Sequence, residues 1–283
     1  MPHPIRFGVQ TWPQHTSWAE LRATWQLIDR LGYDTAWTFD HFFPIMSDAS
    51  GPCLEGWIAL AALAAETERV RLGVLVTGNT YRHPAVLANM GATLDHTSGG
   101  RLIMGVGAAW FEAEHAAYGI AFGTAPERIR RLDEAAEIIR RLWTEPRVTF
   151  DGRDYRLRDA YCEPKPVQRP HPPLMIGGGG EKLMLRVVAK HADCWNTFGT
   201  PEVFRRKLAV LREHCRAVGR DPAAIEVSWA GTELLDTPPA RARARIAEFL
   251  EAGVTHFILG VGAPFDHDAL RRFAGEVIPT FRR

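Results

Sequence analysis

From residue 5 to residue 278, short apolar runs alternate with helical stretches so regularly that few folds remain open. Strands are expected at 5–11, 35–40, 71–77, 101–107, 174–177, 193–197, 225–229 and 256–260, from their β-branched and apolar content. A helix follows each. The first is opened by a capping box at Ser17 and Glu20, and the next two are expected at 56–68 and 84–96. The fourth, 126–143, carries Ile129, Leu132, Ala136, Ile139 and Leu142 at three- and four-residue steps. Thr124 and Glu127 form its capping box, with Pro126 in its first turn. The remaining helices are expected at 181–190, 201–218, 240–252 and 266–278.

Strands alternating with helices pair in parallel through right-handed crossovers. Eight such units in about 250 residues is the arithmetic of an α/β (β/α)8 TIM-like barrel, with an open doubly wound sheet as the rival. The one excursion follows the fourth strand, over about 144–173. There a hairpin is expected across 147–157, turning at Asp151–Gly152, ahead of a proline-rich connector. With no linker or low-complexity segment, residues 1–283 are expected to form a single domain.

Apolar residues make up 46% of the chain and charged ones 24%, with a formal charge of +1, so neither nucleic acid nor an anionic membrane is expected as a partner. Cys53, Cys162, Cys194 and Cys215 show no metal or disulfide-framework spacing. The amino-terminal residues have no apolar signal core, and no run approaches a membrane span. A cytoplasmic protein is the expectation.

A barrel places its site at the carboxyl ends of the strands. These tips read Thr11–Trp12, Asp40–His41, Val76–Asn79, Gly107–Trp110, Gly177–Glu181, Trp195–Asn196 and Gly260–Gly262. Glycine and alanine crowd them, which lets a flat ligand approach the backbone. The sharpest feature is the run Gly177, Gly178, Gly179, Gly180, Glu181, since strand, glycines and helix aim free N–H groups at an anion. No Lys-Ser or Lys-Thr follows, so nucleotide hydrolysis is disfavoured, and a phosphate of a bound cofactor fits better. For each tip taken alone a short glycine turn is the simpler account; the whole ring favours a ligand.

Several barrel chemistries lack their residues. The first strand has no histidine pair for a metal, and no HExxH occurs. The four lysines, Lys165, Lys182, Lys190 and Lys207, fall in the connector or on helices rather than at a tip, which excludes a Schiff base. Only Asp40 stands where a glycosidase needs two acids. His83 reads as a helix opener, His15 as a weak pocket residue, and Glu112 and Glu114 as acids of a loop. What remains is a site of small residues, aromatics and one Asp-His pair, suited to a planar, phosphate-bearing redox cofactor.

Five stretches carry a family resemblance: GYDTAWTFDHF (32–42), RVRLGVLVTGNTYRHPAVLA (69–88), TLDHTSGGRLIMGVGAAWFEAEHAAYG (93–119), PLMIGGGGEK (173–182) and HADCWN (191–196). In this order the chain resembles the bacterial luciferase-like oxidoreductases, in the branch that uses the deazaflavin coenzyme F420. The resemblance implies a TIM-like barrel with an insertion and hydride transfer between coenzyme F420 and a small organic substrate. It places Asp40 and His41 beside the ring, with His41 the proton donor or electrostatic partner. It also implies a non-prolyl cis peptide at Leu75–Val76, with Leu75, Val76 and Thr77 behind the ring. Ala108 and Ala109 would line the cofactor, Gly178, Gly179, Gly180 and Glu181 would hold its phosphate, and Trp195 and Asn196 would complete the far wall. One departure stands out: where sugar-phosphate dehydrogenases of this family carry a glutamate proton acceptor, this chain has Trp110. A reductase acting on an unsaturated substrate is therefore the expected direction. An FMN-dependent monooxygenase and a non-catalytic flavin-binding protein are the alternatives, and a homodimer through the early helices is compatible.

Overall fold

The computed structural model describes residues 3–282. The first half of the chain runs β1 (Arg6–Thr11), α1 (Trp18–Leu31), β2 (Thr35–Thr38), α2 (Gly56–Ala65), β3 (Arg71–Val74), β4 (Thr77–Gly78), α3 (Pro84–Thr97) and β5 (Met104–Gly107). Then come α4 (Glu112–Tyr118), α5 (Ala125–Thr144) and a hairpin of β6 (Val148–Asp151) and β7 (Arg156–Ala160). The second half runs β8 (Leu174–Gly177), α6 (Met184–His191), β9 (Cys194–Thr197), α7 (Pro201–Ala217) and β10 (Glu226–Gly231). It ends with α8 (Glu233–Asp236), α9 (Pro239–Glu251), β11 (His256–Val261) and α10 (His267–Glu276).

One sheet holds nine of these segments in the order β3-β2-β1-β11-β10-β9-β8-β5-β4. Its two edges, β3 and β4, are halves of a single strand separated by a cis peptide between Leu75 and Val76. Nine segments therefore make eight strands, and the sheet closes on itself. At the seam Leu75 N donates to the Thr38 carbonyl at 2.9 Å and Ile103 N to that of Leu72 at 2.8 Å. Every pairing in this sheet is parallel. The architecture is a TIM-like barrel rather than an open doubly wound sheet.

Strand alternation divides the core in two. Phe257 and Leu259 of β11, and Leu174 and Ile176 of β8, face outward into the layer under the helices. Their neighbours Ile258 and Met175 face inward, where with Trp37, Leu75 and Ile103 they fill the barrel. Both expected capping boxes form. Ser17 Oγ accepts from Glu20 N at 3.2 Å while the Glu20 carboxylate accepts from Ser17 N at 3.1 Å, and Thr124 and Glu127 do the same for α5.

Several boundaries differ from the sequence reading. The second strand ends at Thr38, because Phe39 to His41 already belong to the loop above the barrel. The hairpin does not turn on Asp151–Gly152 alone. It turns through 152–155, where the Glu134 carboxylate of α5 accepts from the N–H groups of Arg153, Asp154 and Tyr155 at 2.9 to 3.0 Å. A side chain nineteen residues upstream thus selects that turn. Helix α6 begins at Met184 rather than at 181, after a turn through 181–183. Among the described residues, no helix is long and apolar enough to cross a membrane.

The amino-terminal end of the barrel is closed by a buried polar layer. Arg6 donates to Glu226 at 2.6 Å, and His256 Nδ1 lies 3.4 Å from the same carboxylate. Burial alone would raise Glu226, but His256 and Arg6 carry its carboxyl down to about 2. A depressed carboxylate contributes stability that is present above its unfolded value near 4.3 and is lost as pH falls toward 2. Glu226→Gln should therefore lower stability by about 2 kcal/mol at pH 7 and flatten its fall between pH 4.5 and 2, read from urea unfolding at stepped pH.

Candidate active site

At the carboxyl ends of the strands lies a cavity of about 370 Å³, within the usual size of a cofactor or small-molecule site. Its floor is Leu75 and Val76, and Gln10 Nε2 holds the Leu75 carbonyl at 2.7 Å. Val76 sits under two glycine tips. A Cβ on Gly107 would fall 2.7 Å from Val76 Cγ2, and one on Gly177 would fall 2.9 Å from it. Side chains there would push the floor up into the cavity. Ala108 and Ala109 form one wall, with the Ala108 carbonyl held by Arg128 Nε at 3.0 Å and Ala109 at a positive φ of 58°. Gly178, Gly179 and Asn196 form the opposite wall.

Asp40 and His41 enter from the second strand, and neither is buried alone. The Asp40 side chain is wholly buried and receives both guanidinium nitrogens of Arg82, at 2.6 and 3.1 Å; Arg82 also pairs with Glu55. Burial pushes Asp40 up to about 6 even against the Arg82 charge. His41 Nδ1 meets Glu114 at 3.0 Å, so Nε2 is the ring nitrogen left for a ligand. Glu114 also accepts from Phe42 N at 2.5 Å and from the Tyr81 hydroxyl. Burial opposes a charge on Glu114, but these three donors hold its carboxyl below the ordinary range.

The structure brings Asp40, His41, Leu75, Val76, Ala108, Ala109, Gly178, Gly179 and Asn196 to one cavity. Four expected residues stand elsewhere. Thr77 is buried behind the wall, accepting from Trp57 Nε1 at 2.8 Å. Trp195 turns into the outer core, and its indole N–H holds the Gly178 carbonyl at 2.7 Å. Gly180 and Glu181 lie beyond the lining, and the Glu181 carboxylate is taken by Arg206 at 3.0 Å. His15 faces Ser47 and is exposed, while His83 caps α3 by accepting from Ala85 N at 3.2 Å.

Glu114 is the main correction, since the sequence reading left it in a solvated loop. It lies on the short helix α4 and is fully buried, whereas Glu112 is exposed. Arg82, Tyr81 and Gln10 were also missed. Arg82 and Tyr81 stand within the quoted TYRHP stretch, but nothing local in it indicates that they turn back to the neighbouring strand's loop.

Among the described residues the N–H groups of Gly179 and Gly180 have no hydrogen-bond partner, while Gly178 N is taken by the Asn196 carbonyl at 3.0 Å. Lys207, on α7, reaches back to the Gly179 carbonyl. Two free N–H groups beside a lysine make this end of the cavity suited to an anion.

Closed sheet, glycine-rimmed cavity and paired charges at the strand tips define a (β/α)8 barrel with an open cavity at its carboxyl face. The chain belongs to the luciferase-like monooxygenase family, whose model matches residues 3–276. It is 33% identical over 224 residues to an uncharacterised protein of Mycobacterium tuberculosis, covering 77% of this chain and 75% of that one. It is 33% identical over 245 residues to an F420-dependent glucose-6-phosphate dehydrogenase of Kineococcus radiotolerans, covering 84% and 71%. Its fold matches that of an F420-dependent tetrahydromethanopterin reductase of Methanopyrus kandleri, with a TM-score of 0.84 at 20% identity over 99% of this chain and 100% of that one. It also matches an F420-dependent secondary alcohol dehydrogenase in complex with an F420–acetone adduct, with a TM-score of 0.88 at 21% identity over 99% and 100%.

Arg82→Met leaves Asp40 buried without its cation, and we expect a loss of about 3 kcal/mol at pH 8 in urea unfolding. The loss should shrink toward pH 5, because in the unaltered protein too the Asp40 carboxyl takes up its proton as pH falls through about 6, and a neutral Asp40 needs no cation. A loss independent of pH would count against this account of the pair.

Proposed function

We propose that the chain transfers hydride between coenzyme F420 and a small organic substrate, acting as a reductase that draws on the reduced coenzyme. The observation that carries this reading is the makeup of the cavity. Its ionisable groups are already paired, Asp40 with Arg82 and His41 with Glu114, so the protein supplies binding and proton control rather than a nucleophile or a metal. The glycine tips over Val76 leave room for a flat ring, and the free N–H groups of Gly179 and Gly180 beside Lys207 suit its phosphate. The F420-dependent relatives support the same choice. The coenzyme, when bound, supplies the hydride chemistry itself.

The residues take distinct parts in this reading. Leu75 and Val76 back the ring, Ala108, Ala109 and Asn196 flank it, Gly178 closes the wall beside it, and the N–H groups of Gly179 and Gly180 receive the phosphate. Thr77 and Trp195 act from behind, by holding the seam of the third strand and the Gly178 carbonyl. His41 manages the proton at Nε2. Glu114 fixes a proton on Nδ1 and stabilises the imidazolium, which is a positioning role. Asp40 and Arg82 hold the loop that carries His41. A second copy of the chain would find apolar contacts at Ile58 of α2 and Val86 of α3, which are 73% and 55% exposed. A cytoplasmic location accords with four unpaired cysteines.

Fluorescence titration with F420 and with FMN tests the choice of coenzyme: tight F420 binding and weak FMN binding are expected, and the reverse order would overturn it. His41→Ala should cut turnover by about 100-fold while leaving the F420 dissociation constant nearly unchanged. Glu114→Gln should leave coenzyme affinity and KM intact and lower kcat about tenfold, because an amide holds Nδ1 and orients the ring less firmly than a carboxylate. A purely structural Glu114 would lower the amount of active protein and leave kcat per active site unchanged.

A further inference from the structure

We infer that the acceptor is an uncharged, flat, conjugated carbonyl compound whose ring lies against Trp110, with its carbonyl oxygen at His41. This rests on the proposed reductase reading and specifies its substrate.

The argument begins with what the cavity cannot bind. Among the described residues no lysine or arginine lines it. Arg82, the nearest guanidinium, is committed to Asp40 and Glu55. Arg206 and Lys207 stand at the glycine run, each beside the Glu181 carboxylate, on the side that the proposed function gives to the coenzyme's phosphate. A second cavity of about 460 Å³ adjoins the first, sharing Gln10 and Phe198 with it. Its one arginine, Arg245, is paired with Glu248 at 2.6 Å, and its one acid is Glu233. A phosphorylated or carboxylated acceptor would meet no uncommitted cation in either space, and burying its charge there would be costly.

What the cavity offers instead is aromatic surface. Trp110 lines it while 53% exposed, and its ring stands edge-on to His41 with centroids 5.8 Å apart. Phe198, 68% exposed, stands on the opposite wall between the two cavities. Large aromatics left open at a cavity mouth have surface to cover, and a planar substrate covers it. Trp110 is held in place by Phe111, with ring centroids 5.1 Å apart. The polar group next to this surface is His41 Nε2, which as an imidazolium donates to one oxygen.

The chemistry balances as follows. The bound coenzyme would supply a hydride to the β-carbon of an enone, and the displaced π electrons would pass to the carbonyl oxygen. His41 Nε2 gives that oxygen a proton, the enol moves the proton to its α-carbon, and solvent reprotonates His41. The carbon–carbon double bond would be reduced by two electrons, and the coenzyme would be oxidised by two.

The test uses 4-phenylbut-3-en-2-one as the neutral aryl enone and glucose 6-phosphate as the charged alternative. Protein loaded with reduced F420 should reduce the enone, and protein loaded with oxidised F420 should leave glucose 6-phosphate untouched. Trp110→Ala should raise the enone KM about tenfold at unchanged F420 affinity, and Trp110→Phe should recover most of it. Calorimetric binding of the enone to the coenzyme-free chain should weaken by a similar factor in Trp110→Ala. Oxidation of glucose 6-phosphate with a kcat/KM equal to that for the enone would overturn the inference, as would enone binding and KM that ignore Trp110. Two results separate it from the reading beneath it. F420 binding with enone binding indifferent to Trp110 overturns only the inference. Trp110-dependent enone binding without F420 binding overturns only the coenzyme.

Discussion

The closure of the sheet through one divided strand is the constraint on which the rest depends. β3 pairs with β2 on one side and β4 pairs with β5 on the other, so a single strand is both edges of the sheet. Closure brings all eight carboxyl ends to one rim. Residues as distant in sequence as Gln10, Asp40, Val76, Gly107, Gly177 and Asn196 then share one cavity. It also fixes which residues face inward, so that Val76 rises between Gly107 and Gly177 and becomes the floor.

Above that rim, the cost of burying charge organises the chemistry. A carboxylate and an imidazole at the end of a hydrophobic strand would destabilise the fold if left unpaired. Each is matched from another element. Arg82, in the loop before α3, meets Asp40, and Glu114, on α4, meets His41. Tyr81 links the two sets by donating to Glu114 from the residue beside Arg82. The same pairs that make burial tolerable also orient His41 and restrict its free nitrogen to Nε2. One arrangement both satisfies the buried groups and fixes the orientation of the imidazole.

The aromatic rim follows from the same short helix. α4 delivers Glu114 inward, while Trp110 and Phe111 at its entry stay beside His41 at the mouth. The Trp110 position thus removes a carboxylate from the rim and adds a broad apolar face. The mouth of the cavity gains an open aromatic surface, and His41 keeps its Glu114 partner.

The number and order of the strands, both capping boxes, the glycine tips and the Asp-His pair were legible in the sequence. Each depends on local chemistry: alternation of apolar residues, caps three residues apart, and missing side chains where backbone must be approached. The exits of the strands, the turn of the hairpin and the partners of the buried charges were not legible. Glu134 selects the turn at 152–155 from another helix, the Trp195 indole finds its acceptor on Gly178 of the neighbouring strand's loop, and Glu114 is buried on a helix too short to show a period. The sequence by itself determined a parallel barrel and the residues at its tips, because strand and helix periods are local. Only the tertiary structure decided which charges meet and which aromatics stay open, because pairing a buried charge requires contacts between elements dozens of residues apart.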